Sequence, residues 1–364
     1  MKILFLIDNL SSGGAQRQMV TLTKLFKNRQ MEVSFLLYAE KTGDFFKNEL
    51  LKENIPVYNI NSSSILSRIL KIRNFIRKNN FDAVISFMDT PNLLNCLAAI
   101  GGKKWKVITS ERSSMEWFFQ SAKGKIYAHF YKYADALVCN SYNGESLWKK
   151  YFPKYSDKLK VIYNPVIQTE INSTYQPLKD GKLKIIVAAS HQYLKNALGL
   201  AKAVALLETA DKNKLKIEWY GKKKVSLGKT KAYEEVLDYI QTNNLSGIIT
   251  FEEPVTKIAE KMKQADIVAL FSKLEGLPNV ICEAMMIEKP IIMTRVSDYS
   301  KLIDESNGFL CDWDQPESIK QAIVSALNLN ENQLIGMGKN SKQKAIELFD
   351  AKRIADQWIS CIEN

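Results

Sequence analysis

The chain predicts two doubly wound α/β domains, each a mainly parallel sheet covered by helices on both faces. Three observations carry this. Short apolar runs alternate with helix-length amphipathic stretches along the whole sequence. The alternation lapses once, in a polar stretch that follows Asn164–Pro165, reaches Lys184 and contains Pro177 and Gly181, and then restarts. Finally, 364 residues exceed what a single hydrophobic core usually serves.

Taken in order, the strand-like runs of the first half are KILFLI (2–7), VSFLLY (33–38), AVISF (83–87), WKVIT (105–109), ALVC (136–139) and KVIY (160–163). Such nearly continuous apolar runs suit strands buried on both faces. Helical patterns, such as Ala15–Lys27 and Pro91–Ile100, separate most of them. The second half repeats the rhythm with KIIVAA (184–189), KIEWY (216–220), GIITF (247–251), DIVALF (266–271) and PIIMT (290–294). This gives one domain over 1–168 and another over 169–349, with a cleft between them. Asp350–Ile362 reads as an amphipathic helix with no strand after it, expected to pack back on the N-terminal domain.

Composition narrows the function classes. Apolar residues make up 46% and charged ones 25%, as in ordinary globular proteins, and no apolar window approaches the length of a membrane span. The N-terminal apolar run is cut off at Asp8 and Asn9, too early for the core of a signal peptide, so it reads as a buried first strand. Cys96, Cys139, Cys282, Cys311 and Cys361 form no C-x-x-C pair, which points to a reducing, cytoplasmic compartment without a disulfide framework or zinc site. The net charge of +12 is concentrated in residues 1–170, where 25 Lys and Arg face 14 Asp and Glu; residues 171–364 are nearly balanced at 26 against 25. The basic half therefore predicts an anionic partner: a membrane leaflet or a phosphorylated acceptor. Nucleic acid is disfavoured, because no recognisable binding module is present.

Three constellations could carry chemistry. Ser11-Ser12-Gly13-Gly14-Ala15-Gln16-Arg17 follows the first strand and opens the first helix, so the glycines admit a close ligand and the helix end favours an anion. It is not G-x-G-x-x-G, which disfavours a dinucleotide cofactor, and a plain tight turn explains it equally well. The second is Glu275-Gly276-Leu277-Pro278-Asn279-Val280-Ile281-Cys282-Glu283 between a strand and a helix. Pro278 suits the first turn, and free amides near Asn279 and Val280 could face a phosphate. Glu283 sits among Ile281, Cys282, Ala284 and Met285, a poor setting for a charge that only meets water. The third is the interleaving of aromatics and lysines from Trp117 to Tyr133, with a second basic helix over Ile65–Lys78 that sets Arg68, Lys71, Arg73, Arg77 and Lys78 beside Ile65, Leu66, Ile69, Leu70 and Ile76. Such stretches either dock on lipid headgroups or pack on the sheet and solvate their cations. Asp312-Trp313-Asp314 matches a metal-binding D-x-D, but its place suggests a surface helix cap far from the phosphate loop.

Glu275-x7-Glu283, in the setting strand–S-x-x-E-G-L-P-x-V-x-x-E-A–helix–P-strand, resembles the signature of glycosyltransferase family four, which has the GT-B fold. The resemblance extends over nearly the whole chain, through Ser12–Arg17, Asn164-Pro165-Val166, Lys195-Asn196 and an N-G-F-L turn at Asn307–Leu310. SFMDTPN (86–92), with Asp89, and SERSS (110–114), with Glu111 and Arg112, look most like bacterial enzymes that extend lipid-linked glycans or surface polysaccharides.

The resemblance implies a retaining, metal-independent transfer of a hexose or N-acetylhexosamine from a nucleotide-diphosphate sugar, UDP being the expected nucleotide, to a glycan or lipid-linked hydroxyl. No cofactor is implied beyond that co-substrate. Glu275 would lie against the donor sugar and Lys195 would clamp the diphosphate, the two catalytic residues. Glu283 would bind the ribose, and Ser190, Asn196 and Gly276–Val280 would complete the donor site. Gly13, Gly14, Arg17, Asp89, Glu111 and Arg112 would face the acceptor. Two positions depart from the family pattern. Its usual arginine five residues before the lysine is Ser190, with His191 or Lys222–Lys224 as possible replacements. Its histidine near the reacting centre is replaced by Arg112, and His129 is expected to be packed or interfacial in an aromatic helix. A nucleotide-sugar epimerase or hydrolase of the same fold, or a binding protein without turnover, remain the alternatives.

Overall fold

A computed structural model describes residues 1–11, 13–39, 44–62, 64–167, 181–224, 229–255 and 257–363. The chain divides into two compact units: Met1–Pro165 together with Phe349–Asn364, and Val166–Leu348. The expected boundary at 168/169 lies outside the described residues.

In the first unit seven parallel strands lie in the order β3-β2-β1-β4-β5-β6-β7. They are β1 Lys2–Ile7, β2 Glu32–Leu37, β3 Val57–Asn59, β4 Ala83–Phe87, β5 Lys106–Glu111, β6 Ala136–Cys139 and β7 Leu159–Val161. Ile3 pairs with Val33 on one side and Ala83 on the other, so β1 is central and its residues Ile3–Ile7 are fully buried. The C-terminal helix Ala351–Glu363 completes this unit. It buries Ile354, Ala355, Trp358 and Ile362, and sets the Trp358 ring 5.9 Å from Phe87 at the end of β4. Arg29 bonds Asp356 and the Lys352 carbonyl from the other side.

The second unit has six parallel strands in the order β10-β9-β8-β11-β12-β13: β8 Leu183–Ala188, β9 Leu215–Tyr220, β10 Ile249–Glu252, β11 Ile267–Leu270, β12 Ile291–Thr294 and β13 Gly308–Cys311. Its core gathers Ile185, Ile217, Trp219, Ile267 and Phe271 around the central strands. Strand order reverses between β1 and β4 in one unit and between β8 and β11 in the other. Sheets of this kind bind ligands outside the carboxyl ends of the strands at that switch.

Several sequence expectations need correction. Asn307–Leu310 is not simply a turn: Gly308 begins the edge strand β13, paired with Ile291. A Cβ on Gly308 would lie 2.3 Å from the Ile291 carbonyl oxygen, so only glycine fits there. The turn itself lies just before, where the Asn307 and Gly308 amides donate to the Asp304 carbonyl. The aromatic stretch Trp117–Tyr133 is not one helix, because Ser121 is extended (φ −69°, ψ 152°) and its hydroxyl caps the next helix at the Gly124 amide, 3.0 Å. Its His129 is exposed, 3.2 Å from Lys132 Nζ, rather than packed. On the helix Ile65–Asn79 only Ile72 and Ile76 are fully buried; Ile65, Leu66 and Leu70 are more than half exposed.

Candidate active site

In the second unit the loops leaving β8 and β11 flank the strand-order switch. After β8 the chain passes through Ser190, a turn of 3-10 helix at Tyr193–Lys195, and Asn196, held left-handed at φ 63°. The Asn196 side chain donates to the Trp313 carbonyl at 2.8 Å, which fixes this turn. After β11 the loop 272–278 leads into the helix Asn279–Met286, whose N-cap position, Pro278, offers no side-chain cap. The N-terminal end of this helix, at Asn279 and Val280, carries the positive pole of the helix dipole and favours an anionic group.

The two loops are laced together. The Lys273 amide donates to the Leu194 carbonyl at 2.7 Å. Lys195 Nζ lies 2.5 Å from Glu275 Oε1, and both side chains are largely buried. The same carboxylate oxygen accepts the Ser272 hydroxyl at 2.6 Å. An ammonium and a carboxylate thus meet beside an uncapped helix N-terminus. Glu283 lies further along that helix, half-buried and engaged in contacts of its own. Gly276 is half-buried, while Leu277 and Pro278 are buried and anchor the loop.

The stretches that resemble the family are matched along their length. The profile of Glycosyltransferase Family 4 matches residues 12–169, and that of Glycosyl transferases group 1 matches residues 182–329. The chain belongs to glycosyltransferase family four. It is 28% identical over 375 residues, covering 100% of this chain and 98% of the relative, to the GalNAc-α-(1→4)-GalNAc-α-(1→3)-diNAcBac-PP-undecaprenol α-1,4-N-acetyl-D-galactosaminyltransferase of Campylobacter jejuni. The amylovoran biosynthesis glycosyltransferase AmsD of Erwinia amylovora is 23% identical over 96% of this chain and 97% of that one. Among solved structures, Anabaena HepE in complex with UDP aligns over 100% of both chains with a TM-score of 0.84 at 18% identity. TarM aligns over 100% of this chain and 99% of that one with a TM-score of 0.80 at 12% identity. The fold is GT-B.

The glycosyltransferase's departures at Ser190 and His191 can be located. Ser190 Oγ accepts only a neighbouring amide nitrogen, Gln192 Nε2, at 3.1 Å. His191 does not supply the missing cation. Its ring is buried between Trp219 and Phe251, centroids 5.7 and 4.6 Å away, and neither ring nitrogen has a hydrogen-bond partner. Burial, and then Lys223, pull its pKa down to about 4, so it is neutral at physiological pH. Lys223 is committed to Glu253 at 2.8 Å, while Lys222 and Lys224 are exposed. Asp312-Trp313-Asp314 is closer to the site than expected, since the Trp313 carbonyl is the partner of Asn196. It caps nothing: the helix Pro316–Leu327 has Gln315 at its N-cap without a side-chain bond, and Asp312 pairs with Arg295 at 3.0 Å.

The first unit offers a different surface. Gly13 is the extended N-cap of the helix Gly14–Lys27, and a Cβ there would lie 2.2 Å from Gln16 Oε1. Ser12 lies outside the described residues; Gly14 and Arg17 are exposed. Asp89 begins the helix after β4, following Met88 at φ 75°, a conformation costly for a residue with a side chain. Buried Asn92 locks this corner, donating to the Ser110 carbonyl at 2.9 Å and accepting the Ser86 hydroxyl at 2.8 Å. At the end of β5, Glu111 accepts the amides of Arg112 and Ser113 at 3.0 and 2.9 Å and the Ser113 hydroxyl at 3.0 Å. Burial, then the nearby Asp89 carboxylate, push its pKa up to about 7 against those donors. Burial raises Asp89 as well, opposed by Lys123. Arg112 turns inward: its guanidinium lies 3.5 Å over the Phe87 ring and donates to Asn164 at 2.5 Å, and burial lowers its pKa to about 9.

Thr294 and Ser297 escaped the sequence reading, and Ser272 entered it only as the serine of the S-x-x-E motif. The Thr294 hydroxyl donates to the Ser272 carbonyl at 2.6 Å and the Ser297 hydroxyl to the Gly276 carbonyl. Only Ser272, three residues before Glu275, carried a local signal; the other two meet the loop because β12 lies beside β11.

Proposed function

We propose that the protein transfers a hexose or N-acetylhexosamine from a UDP-sugar, with retention and without a metal, to a hydroxyl of a lipid-linked glycan. The observation that carries this is the Lys195–Glu275 pair beside the uncapped N-terminus of the helix Asn279–Met286. A diphosphate leaving group gathers negative charge as the glycosidic bond breaks. Lys195 and the positive end of the helix dipole, at Asn279 and Val280, would stabilise it, and the leaving oxygen would take the acceptor's proton. Glu275, released from Lys195 by the diphosphate, would orient the sugar's hydroxyls or stabilise oxocarbenium-like charge. Glu283 would accept from the ribose hydroxyls. Ser190, Asn196, Gly276, Leu277 and Pro278 would shape the remaining donor wall, giving the second unit the donor. The UDP in the HepE structure and the undecaprenol in the Campylobacter name support the nucleotide and the acceptor class.

The first unit would take the acceptor. Gly13, Gly14 and Arg17 offer a helix end and a cation, Asp89 and Glu111 offer hydroxyl partners, and Arg112 lies behind them, bonded to the Asn164 side chain. Exposed Ile65, Leu66, Leu70, Trp117 and Ile126, set among lysines and arginines, would rest on the anionic cytoplasmic leaflet where such an acceptor resides. Among the described residues no helix is long and apolar enough to cross a membrane.

The test is to incubate the purified chain with UDP-, GDP- and ADP-sugars, with and without an undecaprenyl-diphosphate-linked oligosaccharide, and to follow nucleoside diphosphate release and the anomeric proton of the product by NMR. Acceptor-dependent release of UDP with an axial anomeric product is expected. An inverted product, or release indifferent to acceptor, would overturn the reading.

A further inference from the structure

Glu275 sits on a loop, yet a group meant to meet a sugar must be held to a fraction of an ångström. The loop's own backbone supplies little of that precision: from Ser272 to Pro278 it is neither helix nor strand. Beyond the Lys273–Leu194 backbone bond and buried Leu277 and Pro278, further fixing comes from hydroxyl groups. Thr294, fully buried in the last position of β12, donates to the carbonyl of Ser272 at 2.6 Å. Three residues on, Ser297 is held left-handed at φ 55°, which aims its hydroxyl at the carbonyl of Gly276. These two bonds grip the loop on either side of Glu275. Between them the hydroxyl of fully buried Ser272 donates to Glu275 Oε1 at 2.6 Å, the same oxygen that Lys195 holds.

We propose that Thr294, Ser297 and Ser272 form a hydroxyl brace, built from the end of β12, that positions Glu275 for glycosyl transfer. This rests on the role given above to Glu275. The brace is redundant while Lys195 holds the carboxylate and becomes decisive when a donor diphosphate draws the ammonium away, for the Ser272 hydroxyl then remains to fix Oε1. A left-handed serine is a costly choice where glycine would be relaxed, and the hydroxyl bond to Gly276 gives that choice a purpose. The buried hydroxyls of Thr294 and Ser272 also stand where an apolar residue would avoid any need for a partner. All three act through Glu275 and touch no substrate, so they are positioning residues.

Shape and hydrogen bonding separate cleanly at Thr294. Thr294→Val keeps the volume and removes the hydroxyl, whereas Thr294→Ser keeps the hydroxyl and removes a methyl group. With saturating donor and acceptor, Thr294→Val and Ser272→Ala are each expected to lower kcat roughly tenfold, the scale of a displaced catalytic group. The affinity for UDP alone, measured by calorimetry, should stay within about twofold, because the brace is proposed to act on the sugar-facing Glu275 and leaves Lys195 and Glu283 unaltered. Thr294→Ser should recover most of the turnover. Ser297→Gly, which relaxes the backbone and keeps the fold, should show a smaller loss of kcat and unchanged UDP affinity. If Thr294→Val turned over like the wild type, if Thr294→Ser were the poorer of the two, or if UDP affinity fell in step with kcat, the brace would be a packing feature only. Glu275→Ala measured alongside separates the two levels: a fully active Glu275→Ala removes the parent role, while an inactive Glu275→Ala with an active Thr294→Val removes only the brace.

Discussion

The two units share a strand order about their central strands, β3-β2-β1-β4-β5-β6 in one and β10-β9-β8-β11-β12-β13 in the other, and yet finish the carboxyl ends of those strands in opposite ways. The second unit places a compensated pair there, Lys195 with Glu275, joined by the Ser272 hydroxyl. The first places two carboxyls, Asp89 and Glu111, that burial pushes toward the protonated form, Glu111 further so by the Asp89 charge, even though this unit carries most of the chain's net positive charge. Fold therefore dictates where the chemistry can sit but not its sign. On the proposed roles, the diphosphate would call for a cation and a helix N-terminus, and the hydroxylated acceptor for groups that accept and share protons. The units differ in closure too. The first is completed by the C-terminal helix, which returns to cover Phe87 with Trp358, while the second is built from one continuous stretch of chain.

The contrast in closure is the easiest to break. Trp358 is 1% exposed, and Trp358→Ala should cost the first unit about 3–5 kcal/mol, the range for truncating a buried tryptophan. Hydrogen exchange followed by mass spectrometry should show amides of β4 and β5 losing protection while β8 and β11 keep theirs. Equal loss in both units would mean that they do not unfold separately.

Next in size is the pH response, where the units should move in opposite directions. Glu111 has a folded pKa raised to about 7, above its ordinary value of 4.5, so the folded state holds that proton more tightly. Its contribution is complete below pH 4.5 and is lost as pH rises to 7, a change of roughly 3 kcal/mol at most. His191 is the reverse: its pKa is lowered from 6.5 to about 4, so the unfolded state takes up the proton first. The second unit should be at full strength above pH 6.5 and lose a similar amount, again roughly 3 kcal/mol, as pH falls to 4. Exchange protection measured from pH 4 to 8 reads both. Glu111→Gln should flatten the first profile and His191→Phe the second; profiles unchanged by these substitutions would remove the assigned causes.

The smallest expected effect concerns the surface. Leu66→Ser with Leu70→Ser should leave stability within about 0.5 kcal/mol, because both side chains already face solvent. Co-sedimentation with vesicles containing anionic phospholipid should weaken by roughly tenfold, in line with the apolar area withdrawn. Undiminished sedimentation would move the docking face elsewhere.

Much of the fold could be read from sequence because parallel strands buried on both faces leave uninterrupted apolar runs. KILFLI, AVISF and DIVALF each announced a strand within a residue or two of its observed limits. The strands that escaped are edges. Val57–Asn59 is three residues long and half polar, and Gly308–Cys311 hides behind turn-like Asn307-Gly308. At the site, the local motif around Glu275 and the lysine at 195 were legible because each lies in one short stretch. Their contact spans eighty residues and exists only because β8 adjoins β11. Thr294 and Ser297 were invisible for the same reason. His191 misled because sequence shows a titratable side chain and not the three aromatic rings that strip it of water.

The central claim, that the second unit's ammonium–carboxylate pair handles a nucleotide-diphosphate sugar, is tested most directly by turnover of Lys195→Ala and Glu275→Ala, each checked for an intact fold. Both should lose about a hundredfold or more in acceptor-dependent UDP release, the scale of removing one transition-state contact, and Lys195→Ala should also bind UDP more weakly. Near-normal release from either variant would contradict the account.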